Sequence, residues 1–174
     1  MVRRTLFFGR FQPFHLGHLM VVKWALEERK YDEIVIMVGM ASESHTPRNP
    51  FTAGERIWMI REALREAGID LSRIITATLP TMEVHVGAAH YVLTHVPPVE
   101  SIITRNPVIA RVFREAGIKV EKPPAFNRNE LRGEHIRRLI AAGGAWEHLV
   151  PPAVVRIIRE IDGVARIREI TTED

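Results

Sequence analysis

The chain has 174 residues, 46% of them hydrophobic and 26% charged, with a formal net charge of +3 and no cysteine. That length suits a single domain (1–174) with its own core, and the missing thiols exclude disulfides, thiolate zinc sites and thiol catalysis. No apolar run nears the ~20 residues of a membrane span. Arg3 and Arg4 lead straight into a strand-length run rather than a secretory pattern, so a cytoplasmic protein with no membrane partner is expected.

Strand-like and helix-like segments then alternate. Thr5 to Phe8 reads as a buried strand, and Leu16 to Glu28 as a helix with Leu19, Val22 and Leu26 on one stripe. Ile34 to Val38 lies in the second strand, and a polar loop runs from Gly39 to Pro50. Thr52 and Glu55 have capping-box spacing; the helix they open carries Ile57, Ile60, Leu64 and Ala67 on a stripe and stops at Gly68. Ile74 to Thr78 is the third strand, followed by a short helix at Ala88 to Thr94. Ser101 to Thr104 is the fourth strand. Asn106 and Pro107 then cap and open a helix to Ala116. Ile118 to Val120 is the fifth strand. Helices near Gly133–Ala142 and Pro152–Ile161 form a C-terminal helical segment over about 133–170, with a turn at Asp162-Gly163 and a short amphipathic tail. This pattern predicts an α/β fold, a doubly wound parallel five-stranded sheet covered on both faces. Ligands of such sheets bind beyond the carboxyl ends of the strands, where the topology reverses.

One segment stands at such an end. Gly9 to His18 read G-R-F-Q-P-F-H-L-G-H, directly after Leu6-Phe7-Phe8. His15 and His18 arrive three residues apart at a helix N-terminus, whose unpaired N–H groups and partial positive charge favour phosphate. Arg10 adds a fixed cation. The sequence has no G-x-x-x-x-G-K-[ST], no G-x-G-x-x-G after a strand, no G-x-S-x-G and no H-x-x-x-H on a helix. Phosphate handling by protonatable histidines, arginines and backbone N–H groups is what remains. Nucleotidyl transfer fits it, because an ionised phosphate nucleophile needs no general base, only alignment and charge neutralisation. Lysine appears only at Lys23, Lys30, Lys119 and Lys122, the other cations being arginine. Aromatics interleaved over a basic stripe are not evident, so nucleic acid is not an expected partner.

The segment resembles the HxGH signature of the nucleotidylyltransferase superfamily. The wider chain resembles the archaeal-type nicotinamide mononucleotide (NMN) adenylyltransferases. The resemblance rests on Gly9–His18, S-H-T-P-R-N-P-F-T-A-G-E-R (Ser44 to Arg56), Asn106-Pro107, F-N-R-N-E (Phe126 to Glu130), I-R-R (Ile136 to Arg138) and W-E-H-L-V-P (Trp146 to Pro151). It implies a Rossmann-like nucleotidylyltransferase fold and the reaction of ATP with NMN to give NAD and pyrophosphate, with Mg²⁺ bound to ATP. It implies a homo-oligomer, since similar enzymes are hexamers. Arg10, His15, His18, Arg48 and Arg137 are then the catalytic set. Gly9, Phe11, Gln12, Gly17, Asn106, Arg132, Gly133 and Ile136 are the nucleotide-binding residues, Asn106 toward the acceptor.

Two departures from that family stand out. Arg132-Gly133-Glu134-His135 replaces a Ser-Gly-Thr-like run, which places an acid where an anion is expected. In the acceptor loop, around Glu83, Thr81, His85 and Ala88 replace an aspartate, an asparagine and a tryptophan. A different phosphorylated acceptor (nicotinate mononucleotide, phosphopantetheine or flavin mononucleotide) and a non-catalytic nucleotide-binding protein are the alternatives. Simpler readings apply to other residues. His45 reads as a loop former, His90 and His95 as unconnected, and Trp24, Trp58 and Trp146 as core.

Overall fold

The computed structural model describes residues 1–81 and 87–172. Within them five parallel strands make one sheet: β1 (Arg4–Gly9), β2 (Glu33–Val38), β3 (Ile74–Thr78), β4 (Ser101–Ile103) and β5 (Lys119–Glu121). Their order is β3-β2-β1-β4-β5. The chain moves outward from β1 to β3, then returns to the far side of β1 for β4 and β5. The carboxyl ends of β1 and β4 are therefore the switch point, where successive connections diverge and leave a crevice.

Successive side chains on a strand face opposite ways, and the sheet uses both faces. Leu6, Val35, Met37 and Ile102 pack under α3 (Ala88–Leu93) and α4 (Pro107–Glu115). Phe7, Ile34, Ile36, Val38 and Ile103 pack under α1 (Leu16–Lys23), α2 (Ala53–Glu66), α5 (Gly133–Ala142), α6 (Pro152–Glu160) and α7 (Gly163–Thr171). The Thr52–Glu55 capping box and the Asn106 cap with Pro107 form as expected.

Some expectations change. The first helix passes into a π turn over Trp24–Glu28, in which Trp24, Ala25 and Leu26 are all buried. In α2 the buried row is Arg56, Met59, Ile60, Ala63 and Leu64, rotated from the expected stripe. Trp58 lies across the helix from that row and is 39% exposed, whereas Trp24 and Trp146 are buried as expected. The amphipathic tail is the helix α7, held to the core by Ile167.

A polar cluster fastens β1, β4 and β5 beneath this core. Thr5 Oγ1 and Ser101 Oγ lie 2.7 Å apart, and Ser101 Oγ is 2.8 Å from the Tyr31 hydroxyl. Tyr31 donates to Glu121 Oε1 at 2.9 Å. Arg29 donates to both Glu121 oxygens at 2.7 and 3.0 Å, and Lys119 adds an ion pair at 2.8 Å. The Arg29 guanidinium leads these contacts in holding the Glu121 carboxyl down to about 2. That value lies below the ordinary carboxylate value, so the stabilisation is present above about pH 4.5 and is lost as pH falls toward 2. Replacing Glu121 with Gln should cost about 2 kcal/mol at neutral pH. Denaturant unfolding should show the difference from wild type shrinking as pH drops from about 4.5 toward 2; a constant difference would contradict this role.

Candidate active site

The loop after β1 is built to face the crevice. Phe11 adopts a left-handed conformation (φ 53°) and turns its ring back over Gly9, where a Cβ would lie 3.1 Å from the ring. Gln12 points inward, its amide donating to Phe51 O at 3.0 Å and its carbonyl oxygen accepting from Phe51 N–H at 2.9 Å. This exchange joins the loop after β1 to the loop after β2.

His15 is the N-cap of α1. Its Nδ1 accepts from Gly17 N–H at 3.1 Å, and His18 Nδ1 accepts from the His15 backbone N–H at 3.1 Å. Two histidines thus make a capping box. Their rings stack with centroids 3.6 Å apart, and His18 also stacks on Phe14 and meets the edge of Phe11. A Cβ on Gly17 would sit 2.9 Å from the His15 ring, so only glycine leaves room for this cap. Both Nδ1 atoms are acceptors, so each neutral ring carries its proton on Nε2. Burial, reinforced by Arg128, pushes His15 down to about 3; burial, reinforced by His15, lowers His18 well below its ordinary value. In the free protein the pair consists of neutral Nε2–H donors, not the cations that protonatable histidines suggested.

Two buried arginines set the loop geometry. Arg56 is fully buried and donates to the carbonyls of Arg10, Gly39, Met40 and Thr52 at 2.8, 2.7, 3.1 and 3.2 Å. Arg137, 8% exposed, donates to Gln12 O at 2.8 Å and Pro47 O at 3.1 Å from α5. Burial, then the charge of Arg10, lowers each to about 10. Gly133 permits the close approach of α5, since a Cβ there would meet Arg137 at 2.9 Å and Gln12 O at 3.2 Å.

Three cavities open at the switch point. The first, about 370 Å³, lies among His15, His18, Asn106, Phe126, Arg132 and Gly133. The second, about 490 Å³, has apolar walls from Phe8, Leu79, Ala88, Ile109 and Phe113, with Arg48 at its rim. The third, about 570 Å³, is bordered by Arg48, Glu134, Arg137 and Arg138. Arg10 lines all three. Among the described residues its side chain donates to no protein acceptor, and burial, then Arg48, lowers its pKa. A half-buried guanidinium with no hydrogen-bond acceptor among the described residues, lining three cavities, is poised for an anionic ligand.

The expected site residues divide accordingly. Arg10, His15, His18, Arg48 and Arg137 border one connected cleft, joined by Arg10. Gly9, Gly17, Asn106, Arg132 and Gly133 also line it. Asn106 Oδ1 is taken by Val108 and Ile109 N–H, so its amide nitrogen is the group left for a ligand. Phe11, Gln12 and Ile136, expected to touch nucleotide, face the interior instead, at 2%, 2% and 0% exposure. They shape the cleft from behind. Thr81 clasps Ser42 at 2.9 Å, and Ala88 lines the apolar cavity. Glu83 and His85 lie outside the described residues. His45 bonds Ser44 Oγ at 2.9 Å within its loop, as expected. Sequence reasoning missed Arg56, Thr104, Arg105 and Arg128. The first shows as an arginine within an apolar helical row, and Thr104 and Arg105 follow directly on β4.

The profile of the family described as Cytidylyltransferase-like matches residues 6–139. A nicotinamide-nucleotide adenylyltransferase of Saccharolobus solfataricus is 52% identical over 98% of this chain and 98% of its own. The chain belongs to the archaeal nicotinamide-nucleotide adenylyltransferases, within the Cytidylyltransferase-like family. An uncharacterized protein of Archaeoglobus fulgidus is 63% identical over 98% of this chain and 97% of its own. The fold also matches a bifunctional NMN adenylyltransferase/ADP ribose pyrophosphatase of Francisella tularensis, complexed with AMP and a manganese ion, with TM-score 0.76 and 21% identity. This chain is covered over 98% and spans about half (52%) of that one.

The histidine geometry has a direct consequence. The folded value of His15, about 3, lies below its ordinary 6.5, so an unfolded chain takes up the proton first. Its contribution to stability is whole above about pH 6.5 and is lost as pH falls toward 3. Nitrogen-15 NMR should show both rings as neutral Nε2–H tautomers with no titration between about pH 5 and 8. A His15 resonance that titrates near its ordinary value would contradict the cap.

Proposed function

We propose that the chain transfers the adenylyl group of ATP to NMN, giving NAD and pyrophosphate. The observation that carries this reading is Arg10, which has no hydrogen-bond acceptor among the described residues and is shared by three cavities. An in-line displacement at phosphorus needs three compartments around one centre. The first cavity takes the adenosine of ATP, the apolar second cavity takes the acceptor nucleoside, and the arginine-lined third takes the β- and γ-phosphates. The α-phosphorus then lies beside Arg10, His15 and His18.

In the reaction an oxygen of the NMN phosphate forms a bond to the α-phosphorus. The bond from that phosphorus to the bridging oxygen of the β-phosphate breaks, and pyrophosphate leaves with the electron pair. No proton must be removed from the nucleophile. Arg10 and the two Nε2–H groups hold the α-phosphate oxygens in place. Arg48 and Arg137 face the charge that grows on the leaving group. Mg²⁺ enters as part of the substrate, carried on the triphosphate. The reading includes a cytoplasmic setting and a homo-oligomer, hexameric by family resemblance. Met20, Trp58, Tyr91 and Val108, large apolar side chains left substantially exposed in the single chain, support assembly.

Purified protein should release pyrophosphate and form NAD only when ATP, NMN and Mg²⁺ are present together. Ala88 in the second cavity favours one further reading, a bulkier phosphorylated acceptor. A panel of NMN, nicotinate mononucleotide, phosphopantetheine and flavin mononucleotide decides between them. Turnover with another acceptor and none with NMN would remove the NMN assignment. His18→Ala should lower kcat by about 10²–10³-fold, the scale of losing a preorganised donor. It should cost only about 1 kcal/mol of stability, the scale of a lost helix cap. An unchanged kcat would remove His18 from the mechanism.

A further inference from the structure

Among the described residues, Glu134 is the sole carboxylate lining any of the three cavities, and it borders both the first and the third. It stands in the first turn of α5, whose N-cap Arg132 supplies no side-chain hydrogen bond to the helix. Its side chain is 76% exposed, and Oε1 accepts from Arg138 at 3.3 Å. Its charge is felt by both Arg10 and Arg137. A carboxylate in this place is an electrostatic contradiction. The same space is to receive the β- and γ-phosphates, and like charges repel unless a cation lies between them.

A divalent cation resolves the contradiction. Mg²⁺ takes hard oxygen ligands and is usually held by one or two carboxylates together with substrate phosphates and water. No group of three or more histidine or acidic side chains gathers among the described residues. The ion must therefore take most of its ligands from the nucleotide, and a single protein carboxylate fits that donor set. We propose that Glu134 is a specificity-determining ligand that binds directly to the Mg²⁺ that accompanies ATP. The inference rests on the adenylyl-transfer reading, which places the triphosphate beside Arg10 and the third cavity. It makes nucleotide binding in this chain more dependent on the metal than a hydroxyl at the same position would. Arg138, which holds the carboxylate in the free protein, is released toward the phosphates when the metal takes it.

Calorimetry of ATP binding to the whole chain tests this without turnover. Affinity is measured with EDTA and with excess Mg²⁺, for wild type and Glu134→Gln; the side chain is exposed, so the variant should fold normally. The wild type should bind Mg²⁺-ATP much more tightly than free ATP. In Glu134→Gln that enhancement should shrink by about tenfold, the scale of one charge-assisted contact, while free ATP binds more tightly. Hexaamminecobalt(III), which neutralises phosphate but accepts no carboxylate ligand, should be affected far less by the substitution than Mg²⁺. An equal Mg²⁺ enhancement in both proteins, or an equal change with both cations, overturns the inference alone. Absence of ATP binding to either protein under any condition overturns the adenylyl-transfer reading as well.

Discussion

The cleft depends on two guanidinium groups withdrawn from water to hold backbone carbonyls. Arg56 fixes the exits of β1 and β2 by gripping Arg10, Gly39 and Met40. Arg137 ties α5 to both loops through Gln12 and Pro47. Among the described residues neither hydrogen-bonds a carboxylate, so the neutral carbonyl dipoles solvate the charges without cancelling them. Burying a charge this way is expensive. What it secures is a floor that stays positive, directly beneath Arg10. Burial lowers both Arg56 and Arg137, and the charge of Arg10 lowers them further. A polyanion in the cleft relieves that repulsion, so the same charges that strain the free protein favour its ligand.

Much of the fold was legible because its signals are local. Short runs such as Ile34 to Val38 can only be buried strands once helices flank them. Asn106-Pro107 and Thr52-Glu55 are caps whose chemistry is complete within four residues. Arg10, His15 and His18 were legible too, since they follow directly on β1 in a doubly wound sheet, whereas Arg105 and Arg128 of the same cavity were not. What sequence could not give was direction. Phe11 and Gln12 stand between Arg10 and His15, and nothing in their spacing says that they turn inward. That depends on a left-handed residue and on Phe51, thirty-nine positions away from Gln12. Arg56 was hidden for the opposite reason: periodicity counts apolar residues, and a buried arginine reads as a gap in the stripe.

The two halves of the cleft differ in kind. In the proposed reading the ATP side is the polar one, close to the histidine cap and the N-terminus of α5. The acceptor side is largely hydrocarbon from Leu79, Ala88, Ile109 and Phe113, with cations only where Arg10 and Arg48 reach its rim. An apolar pocket with charges at one end orients a molecule with a phosphate at one end and a flat, weakly polar group at the other. Such walls discriminate weakly among rings of similar size, because methylene-scale differences are worth little. Selectivity for the acceptor then rests on polar contacts, which Asn106 and Thr104 present on this side of the cleft beside its arginines.

Neutral histidines at the α-phosphate are consistent with this division. A donor held rigidly by a cap, as His15 and His18 hold each other, needs no reorganisation when the phosphorus changes geometry, and its dipole is already aimed. Arg48, Arg137 and Arg138 border the third cavity, where the proposed reading lets the leaving group accumulate negative charge. Charge is thus concentrated where it changes most during the reaction, and geometry where the bond forms. Because the cap joins the two rings through Gly17 and the His15 backbone, neither histidine can be repositioned alone, which ties the accuracy of the site to the first turn of α1.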